Sequence, residues 1–255
     1  MNRFQLISAA ATLTVFMGTA LHAQTKVIAH RGHWDVEGSV PNSVSALKNA
    51  HSIKAYGSEF DVHVTRDNIA VINHDDTING LSIEESTYAE LKDIQLANGE
   101  KLPTLEQYLV EGKKSKGTQL ILELKPHKSK ETEDRAVEVI TKLVKKHKAE
   151  KITEYISFSM NICAGLIKKM PGAEVAYLKG DVAPKELKEL GLTGLDYHFK
   201  IMEQHPEWIK EAHDLGLSVN IWTVNDTEVM ARFIQQGADF ITTDNPVALQ
   251  GIIKK

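Results

Sequence analysis

The chain is poor in several things, and each shortage excludes something. It has one cysteine, Cys163, in 255 residues, so no intrachain disulfide can form and the fold rests on its core. Basic residues are in the minority, 30 against 34 acidic for a net charge of −4, which argues against a general nucleic-acid binder. The basic run KLVKKHKAEK (142–151) reads as a solvated helix face and its exit. There is no Gly/Ser linker, no low-complexity run and no close repeat to divide the chain. No G-x-G-x-x-G follows the first apolar strand, which weakens a dinucleotide-binding sheet. No hydrophobic run has the length and isolation of a membrane span. The one candidate, LISAAATLTVFMGTALHA after the lone charge Arg3, is too short and too closely followed by polar chain. It reads as a secretory signal peptide over 1–23, cut after Ala23 or, as second choice, Ala20. The expected mature domain is 24–255, exported to the periplasm or beyond, without stable membrane insertion. No cysteine near the cleavage site offers a lipid anchor.

What is present is an alternation of short apolar runs with amphipathic stretches. KVIAHRG, YGSEFDVHV, TQLILELKP, EYISFS, EVAYLKG, GLDYHF, LSVNIWTVN and ADFITTD read as strands, each followed by helical chain. TRDN (65–68) and IAVINHD (69–75) extend the second strand as a hairpin. Residues 76–103 show little periodicity beyond a short helix near EESTYAELKDI and read as an insertion or cap. Strands alternating with helices imply parallel pairing. Eight of them in a chain of this length favour a closed (β/α)₈ TIM barrel over an open doubly wound sheet.

Such a barrel gathers the polar residues at the C-terminal ends of its strands at one mouth. These are His30 and Arg31, Glu59 and Asp61, Glu123 and Lys125, Asn220 and Trp222, and Asp244. Glu59 and Asp61 are two apart in a strand and so share a face. Leu120, Leu122 and Leu124 turn Glu123 and Lys125 to the opposite, inner side. Three converging carboxylates would raise one another's pKa steeply unless a cation neutralises them. All-oxygen ligation suits one hard divalent ion, Mg²⁺ or Ca²⁺. His30 and His74 flank the cluster and suit acid–base work near neutral pH. Arg31 and Lys125 supply fixed positive charge for a phosphate. Together these describe metal-assisted phosphoryl transfer.

At these residues the chain resembles a known family. AHRG, EFDVHVTRDNIAVINHD, LELK, WTVN and TTDNP are similar to the glycerophosphodiester phosphodiesterases, and the likeness runs from residue 26 to about 249. The resemblance implies hydrolysis of a small-molecule glycerophosphodiester to glycerol 3-phosphate and an alcohol. It implies Glu59, Asp61 and Glu123 as metal ligands, His30 and His74 as the acid–base pair, Arg31 and Lys125 on phosphate, and Trp222 packed against substrate. Two departures stand out. Pro41 in VPNS replaces the glutamate of the usual Pro-Glu-Asn-Thr, and the hairpin turn carries Asp67-Asn68 for Asp-Gly.

Blander readings compete. Lys125 suits a partner of a buried carboxylate, and Trp222 suits core packing. His63 shares parity with Asp61, and the positions of Tyr197, His198 and Trp34 at the mouth are left open by spacing. A phospholipase-type diesterase would need an exposed apolar rim, whereas the insertion is mostly polar. A silent binding barrel would have no need of two histidines.

Overall fold

The structure, a computed structural model, describes residues 24–254. The signal-peptide reading therefore lies outside the described residues. Among the described residues eleven strands run in chain order: β1 Lys26–Ala29, β2 Gly57–Val64, β3 Ala70–Ile72, β4 Thr77–Ile78, β5 Leu81–Ser82, β6 Gln119–Leu124, β7 Thr153–Ser157, β8 Val175–Tyr177, β9 Gly194–His198, β10 Ser218–Trp222 and β11 Phe240–Thr243. Eight of these pair in parallel around a closed ring, β1-β2-β6-β7-β8-β9-β10-β11 and back to β1. β3 pairs antiparallel with the far end of β2, with Val62 opposite Ile72. The expected TIM barrel and its hairpin extension are both observed.

Strand parity builds two cores. Phe60, Val62, Leu120, Leu122 and Leu124 face outward and are buried with the helix residues Leu109, Val137 and Ile140. Ile28, Ile121, Ile156 and Leu178 face inward and plug the barrel beneath the mouth. Buried on both sides, these strands read as near-continuous apolar runs, as parallel strands do.

The helix Lys130–Lys146 shows how the outer layer forms. Ser129 caps its first turn, Glu131 and Glu133 meet its positive end, and Lys145 and Lys146 its negative end. Ala136, Val137, Ile140 and Val144 lie buried at helical spacing. One helix, Phe199–Gln204, was hidden in what the pattern reads as strand end and loop. Pro206 keeps the preceding residue out of helical geometry, so His205 ends this helix at φ −129° before the next, Trp208–Asp214, begins.

The insertion has a small core of its own, Val71, Ile83, Leu91 and Leu102. Its Glu100 accepts hydrogen bonds from the backbone N–H groups of Val44 and Ser45, at 3.0 and 3.3 Å. It thus supports the first turn of the helix Val44–Ser52, where a carboxylate suits the helix dipole.

That helix sits under the loop that leaves β1. Gly32 there has φ +80°, and a Cβ on it would lie 2.7 Å from the backbone carbon and the Cβ of Ala46. Both the left-handed backbone and the close approach demand glycine. Gly32→Ala is expected to cost about 2–4 kcal/mol, combining left-handed strain with overpacking. Urea unfolding at matched conditions measures it, and a loss under about 0.5 kcal/mol, the range of a neutral surface change, would contradict it.

Candidate active site

β2 and β6 run side by side with Asp61 opposite Glu123 and Glu59 opposite Ile121. This register brings all three inward carboxylates to one corner of the mouth. Their nearest oxygens lie within 4.8 Å of one another, and each residue is buried.

The three are held differently. Asp61 accepts from the Asn42 side-chain amide at 2.8 Å and lies 2.7 Å from the Lys125 ammonium. Burial opposes its charge, but Lys125 and Asn42 outweigh burial and hold the carboxyl below its ordinary range. Glu59 accepts one hydrogen bond, from the Arg31 backbone N–H at 2.7 Å, while its Oε1 is buried without a partner. Burial, then the charges of Asp61 and Glu123, push its pKa well up. Burial likewise lifts Glu123 to about 7, against the pull of Lys125. An all-oxygen trio with an orphaned buried oxygen and two carboxyls driven toward neutrality fits a divalent cation as the missing partner.

Lys125 Nζ lies 2.7 Å from both Asp61 Oδ1 and Glu123 Oε1. The blander reading of Lys125 as a carboxylate partner therefore describes its place in the structure. An ammonium has three N–H donors, so one remains for the cleft that Lys125 also lines. Arg31 adopts φ +54°, a left-handed conformation uncommon outside glycine. The turn sends its N–H to Glu59 and brings its Nε to 3.7 Å from Asp61.

The two histidines share a geometry. His30 Nδ1 is 2.8 Å from Asp244 Oδ1, and His74 Nδ1 is 2.7 Å from Asp75 Oδ1. An ionised carboxylate only accepts, so each neutral ring carries its hydrogen on Nδ1 and presents Nε2 as a base. Both line one cleft of about 250 Å³ with Arg31, the three carboxylates and Lys125. Its far wall is apolar: Ile156, Phe158, Leu178 and Trp222. Trp222 meets Phe158 edge-on at 5.6 Å and donates from Nε1 to the Asp196 carbonyl at 2.8 Å, so it is anchored as well as exposed to the cleft. No lining residue comes from 76–103. A larger cavity of about 580 Å³ lies between the hairpin turn and the helix Lys130–Lys146, but it gathers no acid–base constellation.

The structure resolves several open positions. Tyr197 points outward into the core and donates to the Val182 carbonyl, so it is not at the mouth. His198 stacks edge-on against Trp222 at 5.1 Å, and Trp34 lines a separate hollow with Pro41. His63 is buried behind the site, with Nε2 3.3 Å from the His74 carbonyl, and burial lowers its pKa to about 4. The unfolded chain then takes up this proton near pH 6.5 and the folded one only near 4, so stability is full above 6.5 and falls as pH drops through that window. The loss is expected to reach about 3 kcal/mol. Melting curves of wild type and His63→Gln from pH 7 to 4 measure it, and parallel curves would contradict it.

Four supporting residues were not assigned roles by sequence. Asn42, at φ +61°, grips Asp61 from VPNS. Asp244 orients His30 and is itself held by the Asn225 amide at 2.6 Å. His127 receives the Val64 N–H at 3.2 Å and bonds the Lys125 carbonyl at 2.8 Å, tying β2 to the chain after β6. The motifs WTVN and TTDNP contain the signal for Asn225 and Asp244, but spacing alone does not show which histidine they serve.

The model of the glycerophosphoryl diester phosphodiesterase family matches residues 30–248. The chain belongs to that family. It is 52% identical to a glycerophosphodiester phosphodiesterase of Parabacteroides distasonis, with a TM-score of 0.90 over 91% of this chain and 97% of that one. It is 27% identical over 247 residues to the glycerophosphodiester phosphodiesterase of Caldanaerobacter subterraneus, covering 91% of this chain and 99% of that one. An Oleispira antarctica phosphodiesterase, solved with the product sn-glycerol-3-phosphate, shares the fold at TM-score 0.79 and 24% identity, over 91% of this chain and 98% of that one. The chain is accordingly a phosphodiesterase of the glycerophosphodiester class.

Proposed function

We propose that the protein hydrolyses glycerophosphodiesters to glycerol 3-phosphate and an alcohol, with a divalent cation held by Glu59, Asp61 and Glu123 and with His30 and His74 as acid and base. The observation that carries this reading is one cleft lined by all five of these residues and by Arg31. Bound there, Mg²⁺ or Ca²⁺ would supply positive charge to the phosphoryl oxygens. Arg31 and the third N–H of Lys125 hold and neutralise the phosphate from the protein side. One histidine accepts, at Nε2, the hydrogen of the attacking hydroxyl. The other, protonated, returns a hydrogen from Nε2 to the departing alcohol oxygen. Asp244 and Asp75 keep the rings oriented and stabilise the imidazolium. The attacker is either water or the neighbouring glycerol hydroxyl, the second giving a transient cyclic phosphate.

A soluble diester fits better than an intact lipid. The exposed large hydrophobics among the described residues, Val36, Ile69, Leu81, Val110, Leu190 and Val247, lie on different segments, and none lines the cleft. No helix among the described residues is long and apolar enough to cross a membrane. Assay of a panel of glycerophosphodiesters for glycerol 3-phosphate release tests the reading, and release from none of them would overturn it. We also propose export with loss of 1–23. N-terminal sequencing of protein recovered from the periplasm or medium should begin at Gln24, and full-length protein confined to the cytoplasm would refute this.

A further inference from the structure

Opposite the carboxylate trio, the cleft contains a polar group that the reaction above does not use. Asp196 on β9 lines the cleft, is 2% exposed, and its Oδ1 is buried without a hydrogen-bond partner. Its register partner across the sheet is Asn220 on β10. The Asn220 amide nitrogen donates to Thr242 Oγ1 at 2.8 Å, while its Oδ1 is also buried and unpartnered. Among the described residues no Lys or Arg pairs with Asp196. Asn220 gives the Asp196 carboxyl one hydrogen bond, but one acceptor oxygen of each side chain stays unpaired inside the barrel, which is costly to keep. An apolar pair of similar shape would serve the core better. A small unfilled space of about 30 Å³ borders both residues and has room for bound water.

Their neighbours indicate what they meet. In the eight-stranded ring β9 is diametrically opposite β2, so Asp196 faces across from the cation and phosphate positions. The cleft that Asp196 lines has an apolar wall of Phe158, Leu178 and Trp222. A group crossing the cleft from the phosphate would lay its carbons on that wall and lower a polar end to the floor. A three-carbon polyol has that pattern, and its terminal hydroxyl is the one that reaches farthest from phosphorus. We infer that Asp196, flanked by Asn220, is a specificity-determining residue that binds the terminal hydroxyl of the substrate's glycerol. This rests on the proposed diesterase reading and adds the recognition of one substrate atom to it. Burial, opposed by the Asn220 hydrogen bond and aided by the charge of Glu123, lifts the Asp196 carboxyl to about 7.

The test compares two diesters sharing a p-nitrophenyl leaving group. One carries glycerol; the other carries propane-1,2-diol, which keeps the hydroxyl next to the phosphate and lacks only the terminal one. Wild type should favour the glycerol diester by about 10–100-fold in kcat/KM, the usual cost of leaving a buried polar group unpaired. Asp196→Leu should lower kcat/KM for the glycerol diester alone and erase the preference. Asp196→Asn, which retains an acceptor oxygen at the same place, should keep most of it. Equal rates on the two diesters in wild type overturn the inference, and that comparison needs no variant to fold. So does a leucine variant that loses both activities alike, the mark of a merely structural role. An ordered water bridging Asp196 and Asn220 would give that same flat result. If wild type hydrolyses neither diester with cation present, the diesterase reading itself fails, and the inference with it.

Discussion

Glu59→Gln is expected to abolish turnover while leaving the cation-free protein at least as stable as wild type. Glu59 is buried beside Asp61 and Glu123, has an orphaned oxygen and is driven strongly toward its neutral form. Its charge is therefore a liability to the fold alone, and neutralising it relieves repulsion. Catalysis should respond in the opposite direction. Loss of a mere outer partner of a metal ligand costs about 10–100-fold, so loss of a ligand should exceed about 100-fold in kcat/KM at ordinary cation concentrations. Glu123→Ala should lose activity to the same extent and some stability besides, because it takes from Lys125 one of its two carboxylate partners. Asp61→Ala should differ, because it strips Lys125 and Asn42 of their partner and leaves a buried cation less compensated. It should lose activity and also about 1–3 kcal/mol of stability. Melting in chelator, paired with kinetics at several cation concentrations, separates these outcomes. A Glu59→Gln enzyme that is active but destabilised would show that the cluster serves the fold instead.

The histidine variants should divide by substrate. With a glycerol or choline leaving group, both His30→Ala and His74→Ala should lose about 10²–10⁴-fold, the usual worth of a positioned acid or base. A p-nitrophenyl group departs without a proton. On that substrate the variant lacking the acid should recover most of its rate, whereas the variant lacking the base should not, since the attacking hydroxyl must still lose its hydrogen. The matching geometry of the two rings, each on a carboxylate through Nδ1, does not rank them. His30 has the stiffer support, because Asp244 is itself held by Asn225, whereas Asp75 is exposed beside the half-exposed His74. Equal losses on both substrates would mean that the histidines bind or position and do not transfer protons.

Much of this was legible from residue order because period and parity are local. Alternation placed Glu59 and Asp61 on one face, and the leucines of β6 turned Glu123 toward them. Barrel closure then follows from strand count, and the corner where β2 meets β6 follows from adjacency. The supports of the site were less legible because they arrive from distant loops. Asn42 reaches Asp61 only because its left-handed backbone turns the loop before the helix Val44–Ser52. Asp244 meets His30 across more than two hundred residues of chain, through the pairing of β1 with β11. Lys125 could be read toward phosphate or carboxylate, and only distances place it between Asp61 and Glu123. Asp196 was masked by ordinary strand patterning, since an inward carboxyl and an outward tyrosine alternate as any half-polar strand does. Pro41, the departure from the family's glutamate, lies by a hollow with Trp34, and the carboxylate trio is complete without it.

The central claim is that cation-dependent hydrolysis occurs at the trio. Its most direct measurement is glycerol 3-phosphate release by the purified protein before chelation, after exhaustive chelation, and after Mg²⁺ or Ca²⁺ is returned. Activity should vanish on chelation and come back with at least one of the two ions, in wild type but not in Glu59→Gln. Full activity in the chelated protein would contradict the claim.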